Sequence, residues 1–218
     1  TPLYSSAASD VYKRQDLVVE LGCGWGRNVF MLHNLLAHTR PNLRFMGGEL
    51  SETGLQAAQA IKALESDNSN ISFHPFDYLA PSLEFAAGFR KVLFFTCHSI
   101  EQVLSVPDDL FQKMIGVAPT VDCIHCEPVG WQMNADIERE LAAGGSLSGD
   151  SSMKVPIFGA VNDHFSAAIP VKMGWNRNLV SILQRFAESG AIRINYVDRS
   201  CGGETFYNPS TLVSWSKS

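Results

Sequence analysis

The stretch Leu17-Val-Val-Glu-Leu-Gly-Cys-Gly-Trp-Gly26 constrains the fold more than any other part of the chain. A short apolar run within Asp16–Leu21 leads directly into a turn carrying Gly22, Gly24 and Gly26. Such a run fits a buried parallel strand covered on both faces. The glycines permit a tight turn and let a ligand approach the backbone closely, next to a helix N-terminus that follows the turn. Arg27–His38 supplies that helix, with Val29, Phe30, Leu32, Leu35 and Leu36 at helical spacing and Pro41 just beyond it as a stop.

The same alternation continues. Leu43–Leu50 reads as a second strand, and Ser51 as the cap of a helix reaching about residue 65. Ile71–Phe76 and Lys91–Thr96 read as strands three and four, Pro107–Val117 as a helix and Val121–Glu127 as a fifth strand. Asn178–Ser189 is an amphipathic helix closed by Gly190, and Ala191–Val197 and Thr211–Trp215 are the last two strands. Strands alternating with helices predict an α/β, Rossmann-like, doubly wound and mostly parallel seven-stranded sheet in a single domain. The two late strands, joined through Gly202 and Gly203, should pair antiparallel, which puts an antiparallel C-terminal strand at one edge. Pro128–Arg177 reads as one long irregular stretch, with Gly144-Gly145, Ser146–Ser152 and Pro156, and long loops in compact domains are usually functional or mobile.

Spacing narrows the ligand. A nicotinamide fingerprint needs Gly-x-Gly-x-x-Gly, and aligned on Gly22 and Gly24 its last glycine falls on Arg27. The carboxylate of Glu20 at the strand end also argues against a pyrophosphate there and suits a ligand carrying an ammonium group.

Glu20-Leu-Gly22-Cys23-Gly24-Trp-Gly26 resembles the first motif of the class I S-adenosylmethionine-dependent methyltransferase family, acidic-x-Gly-x-Gly-x-Gly. The resemblance spans roughly residues 16–217 and implies S-adenosylmethionine as cofactor. It further implies that Glu49, followed by Leu50, binds the ribose hydroxyls, for which a carboxylate has the acceptors. Asp77, followed by Tyr78, matches the adenine-contacting position, and Thr96-Cys97-His98-Ser-Ile-Glu101-Gln102 falls where the family lines the methyl-transfer site. All lie at carboxyl ends of predicted parallel strands, where open α/β sheets bind ligands. The cofactor set is therefore Glu20, Gly22, Cys23, Gly24, Gly26, Glu49, Leu50, Asp77, Tyr78 and Cys97. Plainer roles stand beside these: Asp77 as a turn aspartate, Glu49 as a helix-cap partner, Trp25 packing on the sheet and Arg27 as a solvated first-turn residue.

His98 and Glu101 are the candidate catalytic pair, since a histidine can deprotonate an acceptor hydroxyl or amine. The alternative is that His98 only shapes the pocket wall and Glu101 starts a helix. Glu127, Trp131, Asn176 and Arg177, with Gln132, are candidates to face the acceptor, and Trp131 has packing as its alternative. Cys123-Ile-His125-Cys126 looks like half a metal site, but no second ligand pair follows at suitable spacing, so core cysteines and no metal are expected.

The bulk properties agree with one domain holding a sizeable core. The chain has 218 residues, 45% of them hydrophobic and 18% charged, and a formal net charge of −5. Without a basic cluster there is no footprint for nucleic acid or an anionic membrane. No apolar run reaches the roughly 20 residues that span a bilayer. Five cysteines, an odd number, suggest reduced thiols in a cytoplasmic protein. Ser5–Gln15 back-translates to a string resembling a transposon-based sequencing adapter, so residues 1–15 are expected to be a non-native leader with native residues missing ahead of Asp16. The domain is then 16–217, with 128–177 as a lid or acceptor-site insertion.

The expected activity is methyl transfer from S-adenosylmethionine to an O or N nucleophile on a small molecule. A non-catalytic S-adenosylmethionine-binding module is the alternative, and a nicotinamide oxidoreductase is disfavoured by Arg27. No Asn-Pro-Pro-Tyr or Asp-Pro-Pro-Tyr follows the fourth strand, which disfavours nucleobase or amide nitrogen as acceptor. No aspartate cluster like that of metal-dependent catechol-type O-methyltransferases is present in the sequence.

Overall fold

The computed structural model describes residues 15–64, 69–143, 163–199, 201 and 209–218. Seven strands are β1 (Leu17–Leu21), β2 (Arg44–Glu49), β3 (Ile71–Pro75), β4 (Lys91–Cys97), β5 (Thr120–Glu127), β6 (Ile192–Asp198) and β7 (Thr211–Lys217). Six α-helices are described: α1 (Arg27–Leu36), α2 (Glu52–Leu64), α3 (Asp108–Gly116), α4 (Ala135–Ala142), α5 (Asp163–Met173) and α6 (Leu179–Glu188). Residues 1–14 of the expected leader lie outside the described residues, as do Gly202, Gly203 and the segment 144–162.

The strands form one sheet in the order β3-β2-β1-β4-β5-β7-β6. β1 to β5 pair in parallel, and β7 runs antiparallel to both β5 and β6. The C-terminal strand is thus the antiparallel one, as expected. It enters between β5 and β6, so β6 takes the outer position. This is a Rossmann-like doubly wound sheet.

Successive strand residues point to opposite faces, and here both faces are covered. Leu17, Val19, Leu21, Val92, Phe94 and Trp215 pack with Leu110, Phe111 and Met114 of α3 and Leu179, Ile182 and Leu183 of α6. Val18, Phe45, Leu93 and Phe95 pack with Val29 and Phe30 of α1 and Ala58 of α2 on the other side. That is why Leu17–Val19 of β1 and Val92–Phe95 of β4 are apolar at successive positions. Each such side chain contributes about 1.5–3 kcal/mol when fully buried.

The stretch read as irregular between β5 and α6 holds a 3-10 turn at Gly130–Met133 and the helices α4 and α5. Asn134 caps α4 by accepting from the Asp136 amide. Trp131, Ile137 and Ala167 form a small separate cluster that joins these pieces. No helix among the described residues is long and apolar enough to cross a membrane.

Candidate functional site

The order of strands changes direction between β1 and β4, the position at which ligands enter open α/β sheets. The glycine loop after β1 lies at that point. The amides of Gly22 and Cys23 both donate to the Gly48 carbonyl at 2.8 and 3.0 Å, which holds the loop against the end of β2. Gly26, with φ 85°, caps α1 in the left-handed region, and a side chain there would run into Phe73 at 2.6 Å. Gly24 is also left-handed at φ 55°, but a side chain there would meet nothing within 4 Å. Gly26 is therefore required by packing as well as by its backbone conformation, whereas Gly24 is favoured by its φ alone and borders open space.

Glu20 is 2% exposed. Its Oε1 accepts from the Asn28 side-chain amide at 2.6 Å, and its Oε2 is buried without a partner. Burial, against the Asn28 hydrogen bond, pushes its pKa up to about 8, and the nearby carboxylates of Glu127 and Glu49 add to the rise. A cationic group placed against Oε2 would satisfy both the orphaned acceptor and this excess of negative charge.

Glu49 closes the other side of the loop, with Oε2 accepting from the Gly24 amide and Oε1 from the Ser51 amide, each at 2.8 Å. Ser51 in turn caps α2 through the Gly54 amide at 3.0 Å. Glu49 thus fills the helix-cap role and still has unused acceptor lone pairs on both oxygens. Leu50 beside it is 68% exposed and Leu79 is 64% exposed, two apolar side chains left uncovered at the ends of β2 and β3. Asp77 Oδ1 accepts from the Leu79 amide at 2.8 Å, the turn role anticipated for it. Trp25 is half exposed instead of packing on the sheet, and Arg27 is exposed.

Several candidates turn inward. Tyr78 is buried, and its hydroxyl donates to the Leu21 carbonyl at 2.6 Å and pairs with Ser99 Oγ at 2.8 Å beneath the glycine loop. Cys23 is buried against Gly47 and Phe73, and burial pushes its thiol pKa up. Glu127 is fully buried and accepts from the amides of Ser99, Ile100 and Glu101 at 3.2 Å each, anchoring the 3-10 turn Ile100–Gln102. Its pKa is pushed up to about 7 by burial, against those hydrogen bonds. Trp131 packs in the cluster with Ile137. Asn176 is 1% exposed, donating to the Val103 carbonyl and accepting from the Asn178 and Leu179 amides. Gln132 binds Asn176 and the Val180 amide. Arg177 is exposed and donates to the Val171 carbonyl. Of the four residues expected to face the acceptor, Glu127, Asn176 and Arg177 thus hydrogen-bond protein groups, and Trp131 is buried with its indole Nε1 unpartnered.

His98 and Glu101 come together at the end of β4. His98 has φ 51°, a left-handed conformation rare for a residue with a side chain and typical of functional positions. Its Nδ1 lies 3.3 Å from Glu101 Oε1, and its Nε2 lies 2.8 Å from Ser210 Oγ. An ionised Glu101 accepts only, which places a proton on Nδ1; in the neutral ring Nε2 is then the acceptor facing the Ser210 hydroxyl. The hydrogen bond to Glu101 raises the His98 pKa, against burial. Next to it Cys97 and Cys126 face each other across β4 and β5. His125, by contrast, belongs to the core: it is fully buried, its pKa is driven down to about 3 by burial, and it is held by Thr96 and by the Trp215 indole N–H at 3.1 Å.

Asn28, Ser99 and Ser210 were not singled out in the sequence. Asn28 had a usable signal, since it sits in the first turn of the helix that follows the glycine loop. Ser210 had none, being 112 positions from His98.

No family model matches the chain, and no curated protein matches it in sequence. Solved structures do. The methyltransferase domain of bacterial CtHen1-C aligns with TM-score 0.54 and 13% identity over 96% of this chain and 95% of that one. Magnesium protoporphyrin IX methyltransferase from Synechocystis PCC 6803 with bound SAH aligns with TM-score 0.54 and 11% identity over 96% and 78%. The plantazolicin methyltransferase BpumL in complex with SAH aligns with TM-score 0.53 and 11% identity over 99% and 81%. At these identities the likeness is one of fold.

Proposed function

We propose that the chain binds S-adenosylmethionine at the glycine loop and transfers its methyl group to an oxygen or nitrogen nucleophile of a small molecule. The observation that carries this is the buried, unpartnered Oε2 of Glu20 at the end of β1, where the glycine loop begins. An acceptor atom with no partner inside the protein calls for a donor from the ligand, and a carboxylate calls for a cationic one. The amino group of the methionyl moiety would supply it, Glu49 would hold the ribose hydroxyls, and exposed Leu50 and Leu79 would offer apolar cover for adenine. The fold shared with methyltransferases that hold SAH supports the reading. The bound cofactor supplies an electrophilic methyl on a sulfonium, so the protein's tasks are positioning and, for a protonated acceptor, proton removal.

His98 performs the second task. Glu101 fixes its tautomer and leaves Nε2 to take a proton from the acceptor, directly or through the Ser210 hydroxyl. The base must be neutral, and Glu101 holds the His98 pKa above its ordinary value. The rate therefore rises with pH through that raised value and is lost below it. In a screen of small hydroxyl and amine acceptors with labelled S-adenosylmethionine, Glu101→Gln should move the acid limb to lower pH, and His98→Ala should remove it and lower kcat about 10²–10⁴-fold. An acid limb unmoved by Glu101→Gln would refute the roles of this pair. Cofactor binding without turnover of any acceptor would favour a non-catalytic binding module.

A further inference from the structure

The left-handed backbone of His98, at φ 51°, is costly for a residue with a side chain and persists only where its surroundings enforce it. Two neighbouring residues at the end of β5 do so. The His98 amide donates to the Cys126 carbonyl at 3.1 Å, which continues the pairing of β4 with β5 by one step. The next three amides then turn away together. Ser99 and Ile100 donate to Glu127 Oε1 and Glu101 to Glu127 Oε2, each at 3.2 Å. For three consecutive N–H groups to converge on one carboxylate the chain must bend out of the strand, and His98 is the residue at which it bends. The far end of the turn is held as well, since the Asn176 amide donates to the Glu101 carbonyl at 2.8 Å. With the amide and carbonyl of Glu101 both fixed, its side chain reaches back to His98 Nδ1 at 3.3 Å.

We infer that Glu127 is a positioning residue for His98: by gathering the amides of Ser99, Ile100 and Glu101 it holds the turn that keeps the Glu101 carboxylate against Nδ1 and leaves Nε2 as the acceptor. The inference rests on the reading of His98 as the base of methyl transfer. Glu127 is fully buried, so it acts on the reaction through the turn and not by touching an acceptor. A carboxylate is required for this task. Both Glu127 oxygens accept, whereas a carboxamide would present its NH2 group to an amide N–H on one side of the turn.

Four groups bear on the ring: Glu101 from its own turn, Cys126 and Glu127 from the end of β5, and Ser210 from just ahead of β7. The charge of Glu127 also reaches His98 directly and favours the protonated ring. Its removal therefore has two distinct consequences. Loss of the field alone would lower the pH at which His98 titrates, by the same amount whether or not Glu101 is a carboxylate. Loss of position would release Glu101 from Nδ1, free the ring to change tautomer, and matter less once Glu101 has lost its charge.

Nitrogen NMR of the histidine rings in the full-length chain tests this, followed across pH in wild type, Glu127→Gln, Glu101→Gln and the double variant, with His98→Ala to assign the ring. The neutral wild-type ring should carry its proton on Nδ1. Glu127→Gln should mix in the Nε2–H tautomer and lower the titration pH, with a smaller shift once Glu101→Gln is present. An unchanged ring in Glu127→Gln, or an equal shift with and without Glu101→Gln, would overturn the proposal. So would an Nε2–H tautomer in wild type, a result that needs no variant to fold. The spectra use neither cofactor nor acceptor, so their failure is distinct from that of the methyl-transfer reading, which fails if His98→Ala leaves the transfer rate unchanged.

Discussion

The folded protein does little to accommodate a negative charge on Glu20. Its pKa stands at about 8 against an ordinary 4.5 because burial disfavours the carboxylate. Between those two pH values the native state keeps a proton that the unfolded chain has released. Stability therefore falls as pH rises across that window, and the loss is complete above it. Glu20→Gln keeps the shape and the Asn28 contact without the charge. Denaturant unfolding above about pH 8 should find the variant about 1–3 kcal/mol more stable than wild type, with a shallower fall from pH 5 upward. Part of the fall should persist, because Glu127 titrates at about 7. A variant less stable than wild type at high pH would mean that the charge at this site is already compensated. The sequence placed Glu20 at a strand end before a glycine turn, which was enough to mark it. The orphaned oxygen was not legible, because it depends on where Asn28 and the glycine loop place their donors.

At the scale of elements, the 3-10 turn Ile100–Gln102 hangs on one side chain. Three consecutive amides, of Ser99, Ile100 and Glu101, point at the Glu127 carboxylate. Glu127→Ala leaves those buried donors unpaired and opens a cavity, an expected cost of about 2–4 kcal/mol in chemical denaturation. Glu127→Gln, which retains an acceptor oxygen, should cost less. Equal losses in the two variants would argue that the amides find other partners. The same anchoring explains why a residue read as facing an acceptor lies at 0% exposure: the end of β5 is where the next turn needs a cap. The regular βα units were readable because each strand and helix repeats its apolar residues at its own period. α5 was not. Pro170 lies inside it and its apolar residues follow no single face, so nothing in its local pattern announces a helix. α4 is short and polar apart from Ile137 and Leu141, and its clearest mark is the Asn134 cap.

Across the whole molecule, the sheet order gathers the carboxyl ends of β1, β2 and β4 around one opening. Glu20 and Glu49 border it, with Leu50 beside Glu49, and His98 stands at the end of β4. That convergence was legible because parallel connections fix which end of each strand meets the loops. The contribution of Ser210 was hidden, since the entry of β7 between β5 and β6 carries it to His98. Occupation of the glycine loop by an S-adenosyl nucleoside is the central claim, and calorimetric titration with S-adenosylhomocysteine tests it most directly. Wild type should bind at a single site. Gly24→Ala, which places a methyl group in the open space, and Glu49→Ala should each weaken binding by about tenfold or more, that is by about 1.4 kcal/mol, while retaining cooperative unfolding. Absence of binding by wild type, or undiminished affinity in both variants, would contradict the account.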